Sequence, residues 1–139
     1  MKRGYLFLVS VLFTLVAAFC FASCGEEEKA AETEIQPVVI KVEDEVTSQT
    51  TLLDVMEEMQ KSGEISFAVS DGMVVEINGV KNDADYDPCW MLYTSDTENS
   101  STAWGSYEYG GETLGSANYG AGELVVKSGC VYVWVYQSF

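Results

Sequence analysis

The last apolar run of the chain, CVYVWVYQ, limits the possible folds more than any other segment. Its residues alternate: Val131, Val133 and Val135 lie on one side of an extended strand, and the aromatic residues between them lie on the other side. Apolar side chains on both sides predict a strand that is covered on both faces. The rest of the chain must therefore supply neighbouring strands and further structure above and below them.

One amphipathic helix is predicted in TTLLDVMEEMQKSG. Apolar residues recur there at helical spacing, at Leu52, Val55, Met56 and Met59. Thr50 or Thr51 can cap the start of the helix, and Gly63 can close its end. We expect the apolar stripe of this helix to pack in the core.

Four further segments have strand character: PVVIKVE, EISFAVS, MVVEING and CWMLYTS. The second and third flank an Asp71-Gly72 turn and predict a hairpin. In its second strand, Met73, Val75 and Ile77 are predicted to share a face. Strand, helix and then several strands predict an α+β fold, with one helix packed on a mixed or antiparallel sheet of four to six strands.

The N-terminus predicts export. A short basic start at Lys2 and Arg3 precedes GYLFLVSVLFTLVAAFCFA, the layout of a secretory signal peptide. Because about 20 apolar residues can also span a bilayer, an uncleaved anchor is the alternative. Phe-Ala-Ser-Cys at 21–24 resembles the lipobox of bacterial lipoproteins. That resemblance implies a signal peptide over 1–23, lipidation at Cys24, and attachment to the cell membrane facing the exterior or the periplasm; an ordinary thiol at Cys24 is the alternative.

Charge narrows the list of partners. Residues 24–37 are rich in carboxylates and lack aromatic residues, which predicts an acidic tether, with one domain over 38–139. Loss of Lys2 and Arg3 with the signal would leave five basic and 22 acidic residues, a formal net charge of −17. A surface of this sign repels phosphate backbones, so nucleic acid is not an expected partner.

The sequence contains no histidine, which excludes Ser-His-Asp triads, Cys-His pairs and His-containing zinc sites. Carboxylate pairs can catalyse without histidine, but the commonest general base is missing. We expect no enzyme, no catalytic residue and no cofactor, and a thiol-active or carboxylate enzyme is the remaining alternative. NDADYDP places Asp83, Asp85 and Asp87 like the first ligands of an EF-hand, but Pro88 and Thr94 stand where that loop needs glycine and glutamate. A solvated acidic turn is the expectation, with a weak calcium site as the alternative, and no metal site is predicted.

Cys89 and Cys130 are too far apart in sequence for a CxxC motif. In an exported protein a Cys89–Cys130 disulfide is plausible, and two buried thiols that act as small hydrophobic residues are the alternative.

The segment from Ser95 to Glu123 is long and rich in Tyr, Ser and Gly, a composition typical of recognition loops. We expect a hairpin around Ala103 to Tyr109. The candidate ligand-binding residues are aromatic: Trp90, Trp104, Tyr107, Tyr109 and Tyr119. They predict a surface for a flat ring or a sugar; the alternative is that they only cover the sheet.

The order TLLDVMEEM, ISFAVSDGMVVEINGV, CWMLY and LGSANYGAGELVVKSGCVYVWVY resembles the transcobalamin-like C-terminal domain of bacterial surface lipoproteins and vitamin B12 carriers. The resemblance covers roughly 38–136 and implies a β-grasp-like fold. In the carriers this domain closes over cobalamin while a separate helical barrel holds the other side. The chain has no room for that barrel, so the resemblance implies half of a cobalamin site.

Together these features predict a lipid-anchored cell-surface module that binds cobalamin or another small ring-containing ligand. A structural or adhesive module that binds another envelope protein is the alternative.

Overall fold

The structure is a computed structural model that describes residues 34–139, of which 35–139 form one compact unit. The predicted signal peptide over 1–23, Cys24 and most of the predicted tether lie outside the described residues. The described part contains one helix, α1 (Leu52–Ser62). Its strands are β1 (Val38–Lys41), β2 (Phe67–Ser70), β3 (Met73–Ile77), β4 (Val80–Lys81), β5 (Cys89–Thr94), β6 (Ser100–Tyr109), β7 (Glu112–Ala117) and β8 (Val131–Gln137).

The strands form two antiparallel sheets, a five-stranded sheet in the order β1-β8-β5-β7-β6 and a three-stranded sheet in the order β2-β3-β4. The α+β class is confirmed, but the strands divide between two sheets where one sheet was predicted. None of the helices within 34–139 is long and apolar enough to cross a membrane.

β8 lies inside the larger sheet, between β1 and β5. Tyr132 and Trp134 face the main core, which also contains Leu52 and Met56 of α1, whereas Val133 is buried in a second cluster on the opposite face. The predicted burial of this strand on both faces is confirmed. Consecutive strand residues point to opposite faces of the sheet, so a strand that is apolar at every position must be covered on both faces.

α1 has the predicted ends. The Thr51 side chain accepts a hydrogen bond from the Asp54 backbone, while the Asp54 carboxylate accepts from the Thr51 backbone, which completes a capping box. At the other end Gly63 adopts a left-handed conformation, with φ of 82°, that glycine tolerates best.

The hairpin of β2 and β3 forms as predicted, but the predicted shared face of β3 is wrong. Val69 pairs with Val74 while Ala68 pairs with Glu76, so Val75 is an extra residue in a β-bulge. The bulge rotates the strand between its two buried positions. As a result Val74 and Ile77 are buried, and Met73 is 49% exposed.

β6 and β7 form a long hairpin whose turn is Gly110-Gly111, beyond the predicted position around 103–109. Tyr107 and Tyr109 of β6 pack against the second cluster. Tyr109 also lines a cleft together with Val39, Ile40 and Lys41 of β1. The hairpin therefore supplies the cover for the second face.

The loop between β5 and β6 contains a buried carboxylate. Asp96 accepts hydrogen bonds from Lys127 Nζ at 2.9 Å and from the Asn99 side chain at 2.7 Å, and Lys127 also contacts Glu98. Burial raises the pKa of Asp96, but these hydrogen bonds outweigh that effect and hold the pKa below its usual value. The network ties the loop to the segment that leads into β8.

Candidate functional site

The β5–β7 cavity opens where the ladder between these two strands stops. β5 pairs with β8 along its whole length, from Cys89 to Thr94, but it pairs with β7 only at Tyr93 and Thr94. β7 ends at Ala117, and the chain then turns through 118–124. The first half of β5 thus has no strand partner on that side among the described residues, and a cavity of about 360 Å³ lies beside it.

The wall of the β5–β7 cavity is neutral. It is built from the start of β3, from Asn82, Tyr86 and the first four residues of β5, from the end of β7 with the following turn, and from Trp134. None of the described residues that line it carries a charge, although the chain has 22 acidic residues. Its polar groups include the side chains of Asn82, Ser116 and Asn118. A cavity of this kind suits an uncharged ligand with a ring and a few hydrogen-bonding groups.

Hydrogen bonds brace one wall of the cavity. Asn82 accepts from the Trp90 backbone at 2.8 Å and donates to the carbonyl of Val74, so it joins β5 to β3. The Trp90 indole donates to the carbonyl of Val80 at 2.8 Å, and the Trp90 ring lies 5.3 Å from that of Tyr136. These contacts hold the small sheet against the large one, so this wall is formed before any ligand arrives.

Trp134 contributes an unpaired donor. The residue is 5% exposed, and its indole Nε1 is buried without a hydrogen-bond partner in the described part of the chain. A buried donor without a partner costs about 1–3 kcal/mol, so most such groups in proteins are paired. An acceptor on a ligand that reached this nitrogen would remove the cost.

The structure divides the five predicted ligand-binding residues. Trp90 and Tyr119 both line the β5–β7 cavity, with Trp90 6% exposed in the wall and Tyr119 50% exposed at the rim. Tyr107 and Tyr109 instead cover the second face of the sheet, and the Tyr107 ring lies 5.8 Å from that of Tyr93. For these two residues the covering interpretation holds.

Trp104 lies elsewhere again. Ser101 pairs with Ser116 and Ser106 with Gly115, so four residues of β6 bulge out of the ladder at this point. Trp104 is in this bulge and is 79% exposed. It does not line the β5–β7 cavity.

The predicted Cys89–Cys130 disulfide is wrong. Both residues are free thiols. Cys89 pairs with Gln137 at the end of β8, while Cys130 precedes the first residue of that strand. Seven residues of strand at about 3.3 Å each separate these positions, far beyond the 7 Å or so that a disulfide tolerates between Cα atoms.

Several cavity residues had no signal in the sequence. Trp134 was predicted only to be covered, and Asn82 and Tyr86 belong to a segment that was interpreted as an acidic turn. Their position depends on where β7 ends relative to β5, which local patterns do not encode. Within 34–139, no group of three or more His, Cys, Asp or Glu residues is placed to hold a metal ion.

No family model, no curated protein and no solved structure matches the chain.

Proposed function

We propose that the chain is a lipid-anchored cell-surface binding module that holds a neutral, ring-containing small molecule in the β5–β7 cavity. The observation that carries the proposal is the charge-free wall, lined by Trp90, Tyr119 and Trp134, in an otherwise acidic protein. Aromatic faces stack on flat rings without needing a cationic group. The absence of histidine from the sequence removes the commonest general base and favours binding over catalysis.

Cobalamin is the sharpest ligand hypothesis, and it depends on the resemblance to transcobalamin-like domains and their β-grasp-like fold. Binding cavities measure about 300–1,000 Å³, and this one, at about 360 Å³, is at the small end. It would admit one edge or side group of a corrin, and the remainder would lie outside against Tyr119. A second protein would then have to cover the opposite face of the corrin.

Calorimetric titration of residues 25–139 with cyanocobalamin and with a panel of uncharged aromatic heterocycles tests the proposal. Tyr119→Ala should weaken binding because it removes the aromatic rim. Trp104→Ala is the matched control, since it removes a more exposed aromatic residue outside the cavity and should leave the affinity unchanged. Equal loss in both variants, or no heat with any of these compounds, would contradict a ligand site in the cavity.

Membrane attachment depends on Cys24 and is tested separately. Growth of the producing bacterium with labelled palmitate should label the protein, and Cys24→Ser should abolish the label. An unlabelled wild-type protein in the soluble cell fraction would overturn the anchor without affecting the cavity.

The alternative is an adhesive module, favoured by one observation. Trp104 is 79% exposed on an edge strand, where a single large aromatic residue can anchor a protein interface. Cross-linking from position 104 to a defined envelope protein, together with its loss in Trp104→Ala, would support this function. Tyr119→Ala should leave such a cross-link intact.

A further inference from the structure

Tyr86 has a backbone conformation that tyrosine rarely adopts. Its φ of 60° lies in the left-handed region, where the Cβ atom of an L-residue crowds the backbone. The other residues with positive φ in the described part of the chain are glycines, Asp71 and Asn78, the residue types that tolerate this conformation. A large aromatic residue at such a position is an exception, and strain of this kind clusters at functional sites.

The turn that contains Tyr86 does not explain why a tyrosine stands there. The Tyr86 N–H donates to the Asp83 carbonyl at 2.9 Å, and the Asp83 N–H donates to the Pro88 carbonyl at 3.0 Å. Both bonds join backbone groups, so a glycine at position 86 could make the same turn. The Tyr86 ring also belongs to neither of the two buried clusters.

Tyr86 and Tyr119 share the mouth of the β5–β7 cavity. Tyr86 precedes β5 and Tyr119 follows β7, so they come from the two segments that flank the gap between these strands. Of the six large apolar residues that are exposed in the described part of the chain, three line this one cavity: Met73, Tyr86 and Tyr119. The two tyrosines are each half-exposed, so their rings are open to a ligand at the mouth.

We propose that Tyr86 and Tyr119 form an aromatic clamp that holds a planar, uncharged heterocycle at the mouth of the cavity, and that the strain at position 86 is retained for this contact. The clamp rests on the ligand site proposed above, to which it adds a contact residue and a class of ligand. Tyrosine faces stack on planar rings. The carboxylates of Asp85 and Asp87, which flank Tyr86 in the sequence, repel an anionic ring.

Riboflavin is the probe for the clamp, because it is an uncharged tricyclic heterocycle whose fluorescence is quenched when its ring stacks on tyrosine. Addition of the full chain in detergent should quench the emission. Tyr86→Ala should weaken binding about tenfold, the scale of losing one stacked aromatic ring. Tyr86→Phe keeps the ring and should bind like the wild type, and Trp104→Ala is the control for an exposed aromatic residue outside the cavity.

Urea denaturation tests the strain separately. At ordinary backbone angles a glycine variant is less stable than an alanine variant, and a left-handed position reverses this order. Tyr86→Gly should therefore unfold at a higher urea concentration than Tyr86→Ala does. Tyr119 is the matched control, since it is a half-exposed tyrosine of the same mouth without a positive φ. Tyr119→Gly should unfold at a lower urea concentration than Tyr119→Ala does.

The outcomes separate the clamp from the ligand site. Wild-type affinity for riboflavin in Tyr86→Ala would overturn the clamp, while a loss in Tyr119→Ala would still support the cavity site. Absence of quenching by the wild type would also overturn the clamp, and heat with cyanocobalamin would still support the cavity site. The same urea order at positions 86 and 119 would show that position 86 is unstrained. Tyr86→Gly should lose as much affinity as Tyr86→Ala, which keeps the test valid if the alanine variant folds poorly.

Discussion

Two buried tryptophans in neighbouring strands differ in one hydrogen bond. Trp90 donates its indole proton to the carbonyl of Val80, whereas the indole proton of Trp134 has no partner in the described part of the chain. Both residues contribute to the main core and to the wall of the β5–β7 cavity. Trp90 therefore stabilises the fold through its nitrogen, while Trp134 is buried at a cost that a ligand could offset.

Replacing each by phenylalanine separates these roles. Both variants lose a similar volume, but only Trp90→Phe leaves the Val80 carbonyl without its donor. Trp90→Phe should therefore lower the free energy of unfolding by about 1–3 kcal/mol more than Trp134→Phe does. Urea denaturation of both variants measures the difference, and equal losses would show that the Nε1–Val80 bond contributes nothing.

The Asp96 carboxylate makes the free energy of unfolding depend on pH. Because its pKa is lowered in the folded state, its stabilisation is complete above the ordinary carboxyl pKa of about 3.9 and is lost as the pH falls through the lower folded value. Asp96→Asn should thus be less stable than the wild type at pH 7, and the gap should narrow below about pH 4. Denaturation at a series of pH values measures this gap, with the exposed Glu112→Gln as the control. A gap that does not change with pH would contradict the role assigned to Asp96.

At the scale of elements, local signals were sufficient for α1 and β8. Thr51, Asp54 and Gly63 specify the helix ends through contacts within a few residues, and alternation alone specifies β8. The predicted shared face of β3 was wrong because the bulge in this strand arises from its pairing with β2. That pairing displaces Val75 from the strict alternation. The pairing of β1 with β8 joins segments about 90 residues apart in the sequence, and no local pattern predicts it.

The close approach of β6 to β7 requires a glycine at position 115. A Cβ atom at Gly115 would lie 3.0 Å from Ser100 Oγ and 3.1 Å from the backbone of Ser101. Gly115→Ala should therefore lower the free energy of unfolding by about 1–3 kcal/mol, the range for overpacking. In Gly122→Ala the nearest atom would be 3.6 Å away, an ordinary contact, so this variant should be nearly neutral. Thermal denaturation compares them, and equal stability would contradict the close approach of β6 to β7.

For the whole molecule, the sequence predicted the class of fold but not the arrangement of its two sheets. The five candidate aromatic residues were predicted to form one ligand-binding surface. In the structure they lie at three separate places: in the β5–β7 cavity, on the second face of the larger sheet and in an exposed bulge. The predicted disulfide was wrong for the same reason. Strand order and direction place Cys89 and Cys130 at opposite ends of β8. Chain topology, which emerges only when distant strands pair, decides which side chains meet.

The free thiols give a direct check of that topology. Cys89 is buried and Cys130 is partly exposed. A thiol reagent should therefore modify Cys130 first in the native protein, and both residues should react after denaturation without reductant. Peptide mass analysis assigns the sites. A Cys89–Cys130 cross-linked peptide would contradict the register of β5 and β8.

The position of β1 has a mechanical consequence. The chain enters the compact unit through this edge strand, whose four residues are paired side by side with β8, the strand next to β5 and its cavity. A pull on the N-terminal segment would reach the larger sheet first at the four residue pairs that join β1 to β8. In the proposed lipid-anchored module, β1 and β8 would therefore transmit tension from the tether before it reached β5 and the proposed ligand site.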